Sequence, residues 1–166
     1  MSSPNSTTRL NERAALKTIL LATLIAGTLD ALAAIITYSI RGGKNPVRIF
    51  YFIASGVFGN EAAYSGGSIM AILGVLLHFF ITFLFSLFLF LVYPKIKLIL
   101  KNKFLIGLLY GVFVWLVMNK LVLPLSKIPA LAPKPSQLII GILVLMFAIG
   151  LPIALIVDRF YSSKKS

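Results

Sequence analysis

The chain has 166 residues, 59% of them hydrophobic, no cysteine, and a formal net charge of +12. A soluble domain of this length has no interior large enough for that much apolar surface, so the class is all-α integral membrane protein, and the lack of cysteine excludes disulfides, thiolate metal sites and cysteine nucleophiles. The 16 Lys and Arg do not point to nucleic acid, because they fall in small clusters beside apolar runs, where they orient a membrane protein and attract anionic headgroups.

Residues 1–13 are rich in Ser, Thr and Asn and are expected to be loose. Apolar runs follow at about 15–40, 69–93, 104–125 and 137–157. Each is long enough for one helix across a hydrocarbon core of about 30 Å, and helices satisfy every backbone polar group internally. The expected fold is a four-helix transmembrane bundle forming a single domain over residues 1–166. The first run has basic residues, an apolar core and Ala31-Leu-Ala33, as a signal peptide does. Its apolar stretch continues to Ile40, so a retained span is expected.

Asp30 lies near the middle of that first run. A carboxylate at such depth costs a few kcal/mol, so it needs a partner or a function. Ala22, Ala26, Asp30 and Ala34 fall four apart, on nearly one helix face.

The connection over 41–68 is the longest. Asn45-Pro46 is a good helix start, and about 46–58 reads as a short interfacial helix in the first outer loop, with Arg48 and Phe50-Tyr51-Phe52 at headgroup level. Tyr38, Tyr93 and Tyr161 are expected to be interface anchors near helix ends.

In the second run Gly74, His78, Thr82 and Ser86 repeat the four-residue spacing, and Phe79, Phe80, Phe83, Phe85, Phe88 and Phe90 lie off that row. In the third, Gly107, Gly111, Trp115 and Asn119 do the same. Small residues let helix backbones approach, and Ser, Thr, Asn and His bond between helices, so these rows should face inward and the phenylalanines should face lipid. Gly107-Leu-Leu-Tyr-Gly111 also matches the GxxxG dimerisation pattern, which is common in apolar helices. Pro124, Pro129, Pro133 and Pro135 predict a rigid, non-helical outer connection. Pro152 with Gly150 should bend the fourth helix.

Ten basic residues fall on one side: Arg9, Arg13, Lys17, Lys95, Lys97, Lys101, Lys103, Arg159, Lys164 and Lys165. Six fall on the other: Arg41, Lys44, Arg48, Lys120, Lys127 and Lys134. The positive-inside rule then puts both termini in the cytoplasm.

By depth, Asp30 and His78 should meet in the outer half of the bundle. Asp30 is 11 residues from Arg41, about 16 Å at the helical rise. Asn119 would sit above them, with Lys120, Glu61 and Arg48 at the mouth and Trp115 as a candidate ligand platform. Two readings of the pair stay open. One is a proton-binding site, since a carboxylate and an imidazole in low dielectric titrate together. The other is a buried pair that fixes helix register. Asn119 reads similarly as interhelical glue or a substrate contact, and Lys120 as snorkelling to the interface or pairing with Asp30 or Glu61. A single histidine gives no metal or haem site, and no nucleophile constellation or phosphate loop points to an enzyme or a cofactor.

His78 with its aromatic span, Tyr93-Pro94-Lys95-Ile96-Lys97-Leu98, Gly107-Leu-Leu-Tyr-Gly111, Pro124-Leu-Ser with its further prolines, and Ile25-Ala26-Gly27 together resemble the YagU-like small bacterial inner-membrane proteins. The resemblance covers about half the chain, from His78 to Pro133, and leaves the fourth span and charged tail unmatched. It implies a bacterial inner-membrane location and no reaction. The expected role is structural or accessory, with the polar rows holding the bundle or a homo-oligomer together in the lipid bilayer. The alternative is a small proton-linked transporter or channel using Asp30 and His78, for an ion or small molecule that the residues do not name. With four spans and no visible inverted repeat, such a transporter would need an oligomer.

Overall fold

A computed structural model describes residues 6–129 and 135–163. Residues 1–5, Pro133, Lys134, Lys164, Lys165 and the side chain of Arg9 lie outside what is described. The described chain is helical and contains no strand. Helix α1 is Ser6–Ile40, α2 is Arg48–Phe58, α3 is Asn60–Ser65 and α4 is Gly67–Ile99. Helix α5 is Lys103–Leu125 and α6 is Pro135–Ser163. Asn11–Ile40, α4, α5 and α6 are the four segments long and apolar enough to cross a membrane. The protein is thus an all-α, four-helix bundle of multi-pass membrane type.

Several boundaries differ from expectation. Helix α1 begins at Ser6, so residues 6–13 are helical rather than loose. Nothing in 6–40 breaks a helix except the tolerated Gly27. Helix α4 runs through Pro94 to Ile99, so Lys95 and Lys97 stand on a helix and the connection to α5 shrinks to residues 100–102. Asn102 ends that connection as an N-cap, its side-chain oxygen accepting from the amides of Phe104 and Leu105 at 2.9 and 3.4 Å.

The proline-rich third connection is less irregular than predicted. Pro124 sits in a helical turn, Leu123–Leu125, and Pro135 is the first residue of α6. Each of two π-helical segments, Met118–Val122 in α5 and Leu145–Gly150 in α6, ends two residues before a proline, Pro124 and Pro152 respectively. A proline cannot donate to the carbonyl four residues back, and its ring clashes there; the wider turn relieves the conflict without ending the helix. At Gly150-Pro152, where a bend was expected, the structure has this π-helical segment.

Helix α6 is the hub and packs on α5, α1 and α4. Helix α4 packs on α1 and carries α2 along its N-terminal half, whereas α4 and α5 touch sparingly despite their short connection. The α5–α6 contact rests on glycine. Gly107 faces Leu151 and Ala154, Gly111 faces Met146, and Gly150 faces the backbone of both glycines. The GxxxG pair of α5 therefore closes a contact within the chain. Gly74 does likewise for α2, lying against the Phe50 carbonyl.

The core draws on all four spans: Ile19, Ala22 and Ala26; Leu89, Phe90 and Tyr93; Ile106, Tyr110 and Val114; Ile149, Ile153, Ala154 and Val157. It lies toward the end that carries Lys97 and Lys103. Beyond Gly27 on α1 and Val114 on α5 those two helices bury no further described residue, and the buried positions at that end are Ala54, Ser55, Ala63 and Gly74, where α2 and α3 meet α4. The phenylalanines of α4 divide: Phe80 and Phe88 are exposed, Phe83 and Phe85 pack on the core, and Phe90 belongs to it. The expectation of a lipid-facing set therefore fails for three of them, and Phe90 is the most buried because α6 supplies Phe160 and Tyr161 rings 5.0 and 5.3 Å from it.

Candidate functional site

The inward rows place most of the expected polar residues inside. Thr82 and Ser86 are buried, and Asp30, His78, Trp115 and Asn119 are half-buried. His78 does not bond to Asp30. Its Nε2 lies 2.8 Å from the carbonyl oxygen of Gly27, one turn closer to the core, while Asp30 remains within electrostatic reach. Gly27 allows this approach, since a side chain there would run into the Phe79 ring. Thr82 donates to the His78 carbonyl at 2.9 Å. Ser86 Oγ is buried and has no hydrogen-bond partner among the described residues.

Asn119 donates to the Trp115 carbonyl on its own helix at 2.9 Å, so it is not glue between helices. The Trp115 indole packs over Gly141 of α6, which makes it a packing residue in this structure. Lys120 and Glu61 are exposed and form no ion pair with each other or with Asp30 among the described residues. Arg48 places its guanidinium 5.1 Å from the Tyr64 ring centre, and Tyr64 meets Tyr51 at 5.8 Å. The Lys127 amide donates to the Gly56 carbonyl at 2.9 Å, joining the third connection to α2. The expected mouth residues are therefore dispersed.

The most connected polar group is one the sequence reading passed over. Asp158, near the end of α6, is 5% exposed. Its Oδ1 accepts from the Tyr93 hydroxyl at 2.8 Å and from Lys97 Nζ, and Lys103 Nζ stands 3.7 Å from Oδ2. One carboxylate thus joins α4, α5 and α6. Tyr93 and Lys97 share a face because they are four apart. Lys97 also donates to Ser162 Oγ at 3.3 Å and lies over the Tyr93 ring. These partners correct two expectations. Tyr93 is fully buried rather than an interface anchor, and the Lys95–Lys103 run is only partly free orientation charge.

Tyr161 closes a second lock. Pro94 has no N–H for the Phe90 carbonyl four residues back. The Tyr161 hydroxyl donates to that carbonyl at 3.0 Å, and its ring stacks on Tyr93 at 5.9 Å. Tyr110 of α5 makes a comparable reach, donating to the Phe85 carbonyl at 2.6 Å. The signals in the sequence were Pro94, Asp158 as one of four acids, and the Tyr93/Lys97 spacing.

Chemically, these groups brace helices. Among the described residues no cluster of His, Asp and Glu could hold a metal ion. Two cavities among the described residues lie at the end that bears Lys97 and Lys103, and Asp30 and His78 line neither of them. Comparison of the chain with models of known families, with curated proteins and with solved structures finds no match.

Proposed function

We propose that the protein is a small structural or accessory component of a bacterial inner membrane, with both termini cytoplasmic and no catalytic activity. The observation that carries this reading is the destination of its interior polar groups. His78, Tyr93, Lys97, Tyr110 and Tyr161 each reach a neighbouring helix of the same chain. Such bonds average about 0.6 kcal/mol each in membrane bundles and together specify one packing. The lysine asymmetry supports the orientation, and the YagU-like motifs support the location.

The test is unfolding in detergent, followed by fluorescence of Trp115, the one tryptophan. His78→Ala and Asp158→Asn should each lower the unfolding midpoint, while Leu76→Ala, at a 60% exposed position, should not. Equal midpoints for all three would remove the support for a bracing role.

A second reading, a proton-linked transporter or channel, keeps one observation in its favour. Asp30 stands half-buried beyond the last buried residue of α1, with His78 in electrostatic reach. In that case Asp30→Asn would abolish flux without affecting expression.

A further inference from the structure

Helices α4 and α5 leave the 100–102 connection in sparse contact, meeting at the Tyr110–Phe85 hydrogen bond and at the Phe88 and Phe113 rings, stacked 5.5 Å apart. Between them is a crevice of about 460 Å³. Phe88, Val92 and Ile96 form one wall, and Leu109, Tyr110 and Phe113 form the other. The Tyr110 hydroxyl is taken by the Phe85 carbonyl, so the crevice offers its occupant no free polar group. Phe88, Leu109 and Phe113 are 45, 49 and 39% exposed, so the crevice opens on the surface of the bundle, at span depth. Water gains nothing in an apolar space of this kind.

The end of the crevice is different. Leu100 closes it, and exposed Lys101 follows directly in the chain. Lys103, at the start of α5, keeps its side chain 46% exposed. Lys95 and Lys101 have no ion pair among the described residues, and Lys103 stands 3.7 Å from Asp158, whose closer partner is Lys97. An apolar slot at span depth with cations at its headgroup end matches an anionic phospholipid, since basic pockets between membrane helices bind such headgroups. A second copy of the chain fits less well. Two copies inserted the same way and related by a two-fold axis along the membrane normal would bring Lys101 toward Lys101.

We propose that this crevice seats one acyl chain of an anionic phospholipid, with Lys101 and Lys103 holding its phosphate. The full chain in detergent, offered phosphatidylglycerol or phosphatidylcholine at equal concentration, tests this by native mass spectrometry. Retained phosphatidylglycerol should exceed phosphatidylcholine, and Lys101→Gln should reduce it about fivefold, with a further loss in Lys101→Gln/Lys103→Gln. Leu109→Trp, which fills the slot, should reduce both lipids; if that variant fails to fold, the lysine variants decide. Equal retention of the two lipids, or retention indifferent to the lysines, overturns the proposal. So does a lipid-free dimer that Leu109→Trp dissociates, which would assign the face to a second copy.

Discussion

Asp158, Tyr161 and His78 each satisfy a group that the bilayer cannot. For Tyr161 the need comes from Pro94, which leaves the Phe90 carbonyl without its helical donor. Tyr161→Phe should therefore cost about 1 kcal/mol, as a lost net hydrogen bond does. Combined with Pro94→Ala, which restores the backbone donor, the same substitution should cost clearly less, and a double-mutant cycle of unfolding free energies checks this. Asp158→Asn keeps an acceptor for Tyr93 but removes the charge facing Lys97 and Lys103, for an expected loss of about 1–2 kcal/mol. That loss should shrink when Lys97 is already Gln. Asp30 and His78 were legible in the sequence as interior residues of similar depth, because helical rise fixes depth. Their missing mutual bond was not legible, because the acceptor His78 uses is a backbone carbonyl, which every residue carries. Asp158 was overlooked for a related reason. Its partners depend on which helices are neighbours, and one-residue patterns do not encode that.

Among the elements, α5 and α6 depend on backbone contact. At Gly111 a Cβ would meet the Met146 backbone, and at Gly150 it would meet the Gly111 backbone. Gly111→Val should therefore destabilise by about 3 kcal/mol, read as loss of helical circular dichroism at lower denaturant. Gly141→Ala, where the added methyl meets the Trp115 indole edge at 3.3 Å, should be much milder. The small-residue rows on α1, α4 and α5 were readable from four-residue spacing, and so were the spans. The helix ends were not. The second span was expected to end at about 93, Pro124 to lie in a non-helical connection and Pro152 to bend its helix, yet each proline is absorbed, Pro94 by a tyrosine hydroxyl and the other two by π-helical turns. Pro152, inside α6, is tolerated because neighbouring helices hold the chain on course, whereas Pro124 lies in the last turn of α5.

As a whole, the larger core joins all four spans toward the end that bears Lys97 and Lys103, where glycine, alanine and tyrosine let helices approach, and a smaller buried set joins α2 and α3 to α4 at the other. Because the chain has no cysteine, single-cysteine variants report orientation cleanly. Lys101→Cys should react with a membrane-impermeant maleimide only in inside-out vesicles, and Glu61→Cys only in right-side-out vesicles. The opposite pattern would invert the topology. The bracing account also makes a claim about transport, and Asp30 is where it is most exposed. Proton flux driven by a pH gradient, measured in proteoliposomes containing the native chain or Asp30→Asn, tests it directly. The account predicts that both match protein-free vesicles. A flux above that background in the native chain, abolished by Asp30→Asn while the fold stays intact, would contradict it.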